Sequence, residues 1–158
     1  MSTQIRLRDV EAGDLPLLFE HQRDPESFAM AAFPSRDAAA FDKHWAKLLA
    51  DETILKQTIV ADRRVVGNIL SFVRDGKREV GYWIDRTFWG RGVATEALSA
   101  FLRLEQTRPL YAGVAKHNAA SLRVLQKCGF TAPRSVDNES NDADNSHVAL
   151  TLTARDLA

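Results

Sequence analysis

The stretch from Glu79 to Leu98 constrains the fold most, because it has the pattern of a strand, a glycine turn and the first turns of a helix. Aromatic and β-branched residues from Val80 to Ile84 are typical of a strand. Gly90 and Gly92 follow, and apolar residues then recur at helical spacing. The first N–H groups of a helix have no internal partner and lie at the positive end of its dipole. A glycine turn leaves those groups open to an anion, usually a phosphate.

Three interpretations of this turn are open from the residues alone. A dinucleotide-binding pattern would start at Gly90 and Gly92, but Thr95 stands at its third small position and no ribose-binding βαβ unit surrounds it. A P-loop needs a Gly-Lys pair followed by Ser or Thr, whereas the pair at 76–77 is followed by arginine. The third interpretation is a cradle for the pyrophosphate of an acyl-CoA.

The third interpretation is carried by a resemblance to a known family. Two runs resemble the acetyl-CoA signature of the GNAT N-acetyltransferases, namely Tyr82-Trp83-Ile84 and Trp89-Gly90-Arg91-Gly92-Val93-Ala94-Thr95-Glu96-Ala97. The similarity is to the RimJ/RimL-like branch, in which Trp replaces the Gln or Arg that opens the motif elsewhere. This resemblance implies acetyl transfer from acetyl-CoA to a primary amine, by direct attack in a ternary complex.

Composition limits the other possibilities. A chain of 158 residues is expected to form one domain over 1–158, and its net charge of zero gives no sign of nucleic-acid binding. The sequence has no apolar run long enough for a membrane span and no signal core, so a cytoplasmic location is expected. The four histidines and Cys128 have no metal-ligand spacing, and Cys128 is expected to be packing. We therefore expect no metal, and a monomer or homodimer.

The residue patterns predict a mixed α/β (α+β) sheet, mainly antiparallel, of about seven strands flanked by four helices. The Asp75-Gly76 pair marks a hairpin, and the helix after Gly92 makes a crossover that places the strands on either side of it parallel. Where a sheet changes from antiparallel to parallel, neighbouring strands can splay at their carboxyl ends. The order of elements matches the GNAT fold with splayed central strands. Expected strands are Gln4–Arg8, Ile54–Ala61, Val65–Val73, Glu79–Asp85, Leu110–Val114, one from Phe130, and His147–Thr153. Expected helices start near Gly13, Ser35, Gly92 and Asn118.

The resemblance assigns the acetyl-CoA contacts to two motifs. The backbone N–H groups from Arg91 to Glu96 would hold the pyrophosphate, with Arg91 as a nearby cation. The strand at Trp83 and Ile84 would pair with the pantetheine arm, although core packing explains one of its two faces equally well. The predicted cofactor-binding residues are Trp83, Ile84, Arg91, Gly92, Val93, Ala94, Thr95, Glu96, Asn118 and Ser121.

The second motif runs from Ala115 to Phe130 and raises the question of the general acid. Asn118 is expected to cap the helix, and a bond from it to pantetheine is equally open. Many relatives carry a tyrosine on this helix that protonates the leaving thiolate, and Leu125 stands at its position here. Ser121, one turn earlier, is therefore the candidate acid, although a serine near a helix start is often a local backbone partner.

The candidate base is Glu79, which begins the central strand, with a solvated hairpin charge as its simpler interpretation. Glu20 and His21 are further candidates, and a surface position is expected for His21. The resemblance places the acceptor beside Phe28, Met30 and Phe33. The acidic segment 135–146 would attract a cationic amine, or would simply be a solubilising loop.

Leu125 also motivates a second function class, a non-catalytic acyl-CoA-binding or sensory module of the same fold. A dinucleotide oxidoreductase is a third class, and the mismatch at Thr95 opposes it.

Overall fold

The computed structural model of the protein describes residues 4–23, 37–115, 118–131 and 147–153. The strands of this part of the chain are β1 (Ile5–Asp9), β2 (Leu55–Ala61), β3 (Arg64–Arg74), β4 (Lys77–Ile84), β5 (Leu110–Ala115) and β6 (His147–Leu152). Its α-helices are α1 (Leu15–Arg23), α2 (Ala38–Ala50), α3 (Val93–Leu104) and α4 (Ala119–Lys127). Short 3-10 helices lie at Ala12–Asp14 and Arg86–Phe88.

The strands form one mixed sheet in the order β1-β2-β3-β4-β5-β6. Neighbouring strands are antiparallel except β4 and β5, which are parallel and joined through α3. The hairpin between β3 and β4 turns at Asp75 and Gly76, whose φ angles of 53° and 77° are those of a primed turn. The predicted mixed α/β architecture is therefore confirmed.

The strand count differs slightly from the sequence prediction. About seven strands were expected, and the described residues contain six. The strand expected to start at Phe130 appears as a single bridge between Thr131 and Thr151. Residues 132–146 lie outside the described part of the chain.

Helix starts follow from capping side chains. Asp37 caps α2, because its carboxylate accepts a hydrogen bond of 2.8 Å from the N–H of Ala40. The predicted cap at Ser35 lies outside the described residues. Asn118 caps α4 as predicted, with a bond of 3.0 Å from the N–H of Ser121.

Helices cover both faces of the sheet. On one face, α3 and α4 pack on the large apolar cluster, in which Leu98, Phe101 and Leu110 are fully buried. On the other face, Leu18 of α1 packs with Phe41, Trp45 and Leu48 of α2. Val80 and Ile84 of β4 belong to the first cluster, and Tyr82 packs against it. Because side chains alternate along a strand, Trp83 faces α1 instead.

Candidate functional site

The two parallel strands at the centre of the sheet separate soon after they meet. In the described residues, β4 and β5 are paired at one position, Glu79 with Tyr111. On its other side β4 pairs with β3 along its whole length, from Lys77 to Ile84. The carboxyl half of β4 therefore has an edge toward β5 that is open. This confirms the predicted splaying of the central strands.

A cleft of about 1210 Å³ occupies this gap. Its walls come from β3, β4 and β5, from the glycine turn, and from the starts of α3 and α4. The opening extends through the sheet, since Tyr82 lines it from the α3 face and Trp83 from the α1 face. A long ligand could thus lie in the gap and meet a second molecule from the other face.

The glycine turn forms one end of this cleft. Gly90 and Gly92 have φ angles of 79° and 78°, a left-handed conformation that side chains rarely adopt. A Cβ placed on either residue would meet no described atom within 4 Å. Open space therefore surrounds the turn, as a cradle for a phosphate group requires.

The amide groups behind this turn are available to a ligand. No side-chain bond caps α3 at Gly92, and the first bond within the helix runs from the N–H of Glu96 to the carbonyl of Gly92 at 3.1 Å. The N–H groups of Val93, Ala94 and Thr95 thus have no partner among the described residues. Of the predicted donors, the Glu96 amide already has a partner within the helix, and the contacts of the set from Arg91 to Glu96 with a phosphate stay a prediction.

Trp89 ties the turn to the end of the strand. Its indole Nε1 donates a hydrogen bond of 3.1 Å to the carbonyl of Ile84. The sequence pattern identified this tryptophan as a family marker and indicated no contact for it. Because of this bond, the Ile84 carbonyl already has a hydrogen-bond partner.

Arg91 does not line the cleft in the described part of the chain. Its guanidinium Cζ lies 5.0 Å from the centroid of the Phe88 ring, a cation–π contact. The predicted contact between Arg91 and a pyrophosphate stays a prediction. Sequence reasoning missed two other cations, Arg123 and Lys127, which lie one turn apart on α4 and line the cleft. Their i, i+4 spacing after the Asn118 cap was the available signal.

Two hydroxyl groups meet across the wall of the cleft. The Tyr82 hydroxyl of β4 lies 2.6 Å from Oγ of Ser121 on α4. Burial raises the pKa of Tyr82 to about 12, although the Ser121 hydrogen bond acts in the opposite direction. Both residues line the cleft, as does Leu125 one turn after Ser121. The structure thus pairs the predicted residue Ser121 with a phenol that sequence reasoning assigned to core packing or strand pairing.

Glu79 lies where β4 and β5 are still paired. Its carboxylate accepts two hydrogen bonds from Arg74, from Nε at 3.1 Å and from Nη2 at 2.9 Å. Both of its oxygens are therefore engaged by one guanidinium, and none of these contacts directs the carboxylate at an acceptor amine. The role of Glu79 as base stays a prediction, and this pairing gives it no support.

His21 is buried, which makes its expected surface position wrong. It is 8% exposed, and its backbone carbonyl accepts a hydrogen bond of 3.2 Å from Nε1 of Trp83. Burial lowers the pKa of His21, and the carboxylates of Asp85 and Glu20 oppose that effect. Nε2 of His21 is 3.8 Å from the Asp85 carboxylate. The imidazole is therefore mainly neutral at pH 7, and the backbone carbonyl of His21 holds the indole of Trp83 in place.

The remaining predictions concern the acceptor site, a metal site and a membrane span. Phe28, Met30 and Phe33, predicted for the acceptor, and the acidic segment 135–146 lie outside the described residues. Within the described ranges, no group of three or more His, Cys, Asp or Glu side chains could hold a metal ion. No described helix combines the length and apolar character of a membrane span.

The cleft, with free helix amides at one end and a strand gap at the other, has the shape and the donors that fit an extended ligand with an anionic group. The family described as the acetyltransferase (GNAT) domain matches residues 4–131. The chain therefore belongs to the GNAT acetyltransferase family.

Known proteins similar to this chain include one curated relative and many solved structures. The curated relative is the probable N-acetyltransferase YjcK of Bacillus subtilis (strain 168), 35% identical over 79 residues. That match covers 44% of this chain and 43% of the relative, so it spans less than half of the relative's length.

Two solved structures show the same fold. AAC(6′)-Ib in complex with paromomycin and acetyl-CoA has a TM-score of 0.79 at 16% identity, over 98% of this chain and 96% of that one. Mycobacterium smegmatis RimJ in complex with CoA-disulfide has a TM-score of 0.75 at 20% identity, over 97% of this chain and 83% of that one. At such identities the likeness establishes the fold.

Proposed function

We propose that the protein is an acetyl-CoA-dependent N-acetyltransferase that acts on a primary amine, either a protein N-terminus or a small molecule. The observation that carries this proposal is the gap between β4 and β5 leading away from free amide groups at the start of α3. Membership in the GNAT family supports the reaction class. The proposal takes residues 1–158 as one domain, which the family match over 4–131 supports.

The residues at the turn fit a diphosphate. Val93, Ala94 and Thr95 would donate their N–H groups to it, at the positive end of the α3 dipole. The open space around Gly90 and Gly92 allows the phosphates to approach the backbone. Arg123 and Lys127 of α4 would add positive charge along the same wall. Arg91 directly precedes Gly92 in the turn, and we keep it as a further cation near the diphosphate.

The gap fits the amide-bearing arm of CoA. An extended arm can pair with the open edge of β4 near Trp83, in the way a peptide adds to a sheet edge. Asn118 lies on the opposite wall, where its side chain already fixes the start of α4. The thioester would then lie between Tyr82 and Ser121 on one side and the α1 face on the other.

The bound thioester supplies an activated acyl group. A neutral amine would add to its carbonyl carbon, and the carbon–sulfur bond would break with its electron pair on sulfur. The nitrogen would release one proton to water, and the CoA thiolate would leave as such or take up a proton from water. Backbone N–H groups of β4 would stabilise the negative charge on the carbonyl oxygen. In this scheme Ser121 is the residue nearest the sulfur, and no enzyme nucleophile is needed.

We place the chain in the RimJ/RimL-like branch of the family. Trp89 at the opening of the turn motif supports this placement, together with the fold likeness to RimJ. The range of acceptors that we propose extends beyond peptide N-termini, because the similar structure AAC(6′)-Ib is described as an aminoglycoside acetyltransferase. Peptide N-termini and small amines are therefore both candidates for this chain.

The direct test is a panel of amines incubated with acetyl-CoA, with thiol release as the readout and mass spectrometry of the products. The panel contains peptides with different N-terminal residues, polyamines, aminoglycosides and simple alkyl or aromatic amines. We expect thiol release that depends on one class of amine and yields its acetylated product. Tight acetyl-CoA binding without transfer to any amine would favour the non-catalytic module that Leu125 suggests.

A further inference from the structure

The contact between Tyr82 and Ser121 is the feature of the cleft that the proposed function leaves unexplained. The two hydroxyl oxygens are 2.6 Å apart, although the residues are 39 positions apart in sequence. Tyr82 belongs to β4 and Ser121 to the first turn of α4, so the bond spans the mouth between a strand and a helix. Each residue is partly exposed and lines the cleft.

Either hydroxyl can be the donor in this bond, and the two directions leave different protons free for the cleft. A hydroxyl has one donor and two acceptor sites. If Tyr82 donates to Oγ of Ser121, the Ser121 proton is left to point into the cleft. The reverse direction would leave the phenol proton for the ligand, and Tyr82 packs against the apolar cluster with most of its surface. We adopt the first direction, which leaves the Ser121 proton available to a sulfur in the cleft.

We propose that Tyr82 is a positioning residue that holds the Ser121 hydroxyl toward the sulfur of a bound CoA, so that Ser121 stabilises the leaving thiolate by a hydrogen bond without giving up its proton. This inference rests on the proposed function and assigns the group that replaces the tyrosine missing at Leu125.

The acidities of the groups decide between a hydrogen bond and a proton transfer. A free thiol has a pKa of about 8.5, whereas the pKa of Tyr82 is raised to about 12. Full transfer of a proton through Ser121 to the thiolate is thus uphill by about 3.5 pKa units. A hydrogen bond to a charged acceptor needs no transfer, and its strength corresponds to about one to two pKa units.

Other titratable groups around the pair are accounted for. The Cys128 thiol interacts electrostatically with Tyr82, and burial raises the pKa of this thiol, so it is neutral near pH 7. Tyr111 of β5 stacks its ring on Lys77 on the other face of the sheet. The remaining charged residues that line the cleft are Arg74, Asp75, Lys77, Glu79, Arg123 and Lys127. All of them are the same in wild type and in the variants used below.

The test is the pKa of the CoA thiol bound to the full-length chain, read from the ultraviolet absorbance of the thiolate during a pH titration. We expect it to lie about one to two units below the value for free CoA. Ser121→Ala should return it to the free value, and Tyr82→Phe should return it at least half-way. Tyr111→Phe is the matched control, because it removes the other phenol of the chain, and the bound thiol should titrate as in wild type.

Binding and turnover distinguish the possible failures. At about pH 6, where free and bound thiols are both mainly protonated, CoA affinity should change by less than about threefold in both variants. The kcat for acetyl transfer should fall by about 10- to 100-fold, with KM nearly constant. A bound thiol pKa that is equal in wild type, Ser121→Ala and Tyr82→Phe would overturn this inference even if the amine panel succeeds. Failure of the wild-type chain to bind CoA would overturn the proposed function together with it.

Discussion

Replacing Thr95 with aspartate tests the phosphate cradle by separating stability from binding. Thr95 is the third residue of α3, it lines the cleft, and its N–H belongs to the three free amides. A carboxylate in the first turn of a helix interacts favourably with the helix dipole, by about 0.3–1 kcal/mol. Thr95→Asp should therefore keep or slightly raise the free energy of unfolding. The same charge should repel a diphosphate held at those amides.

The size of the repulsion follows from the geometry. A carboxylate on residue 95 would lie about 6 Å from an anion at the α3 amides, which gives about 3 kcal/mol for each pair of unit charges at an effective dielectric constant of about 20. Since 1.4 kcal/mol corresponds to a factor of ten, one charge pair weakens CoA binding by about 100-fold. Salt should reduce the effect, because part of the cleft is open to solvent.

Isothermal titration calorimetry with CoA measures this effect directly. Thr95→Asn is the matched control, because it has nearly the shape of aspartate without the charge, and it should bind CoA within about threefold of wild type. Gln106→Glu repeats the charge change about 15 Å away, just beyond the end of α3, and should have little effect. Equal affinity of Thr95→Asp and Thr95→Asn for CoA would refute the cradle.

Two further predictions concern the scaffold that holds the site. Asp14→Asn breaks the bidentate pair with Arg8 (2.8 and 2.9 Å) and should cost about 2–3 kcal/mol in urea unfolding at pH 7. Burial raises the pKa of Asp14, but its hydrogen bonds, first that from Arg8, hold the net pKa below the ordinary value. The stabilisation by Asp14 is present above the unfolded-state pKa and disappears as the pH falls through the folded-state pKa. A difference in the free energy of unfolding between wild type and Asp14→Asn that stays the same in acid would contradict this. Gly67→Ala would push a Cβ into the Trp83 carbonyl oxygen and should lower the free energy of unfolding by about 1–3 kcal/mol, whereas Gly13→Ala, with no described atom within 4 Å, is the tolerated control in thermal unfolding.

The fold was largely predictable because its signals are local. Alternation and turn residues located the hairpin at Asp75 and Gly76, and the crossover through α3 determined which strands run parallel. The end of α3 at Leu104 has no such local signal. Glu105 instead accepts a hydrogen bond from Ser71 of β3, a contact between distant residues that no local pattern contains.

The free amides at the start of α3 were predictable for the same reason, and the side-chain contacts around them were not. Exposed amides follow from a glycine turn before a helix, which is a local arrangement. Ser121 contacts a residue of another element. Strand alternation predicts on which face of the sheet Tyr82 lies, but it does not predict that the Tyr82 hydroxyl reaches Ser121. His21 was expected at the surface because histidine is often found there, yet Trp83 and Asp85 enclose it.

Charged residues gave the least reliable predictions. Arg91 lies inside the turn motif, yet its side chain packs on Phe88, whose other cation–π partner is Arg64. A long side chain can reach several partners, and the separation of residues in the sequence does not show which of these partners it contacts. Lys127 lines the cleft, and its spacing from Arg123 on α4 was the only sequence signal for that position.

The most direct measurement of the central claim is a titration of the isotope-labelled chain with CoA, followed through its backbone amide signals by NMR. If the α3 N-terminus holds the diphosphate, the amide signals of Val93, Ala94 and Thr95 shift most and saturate together with CoA binding. Saturable binding with unchanged signals at these three amides, and shifts confined to another surface, would contradict the account.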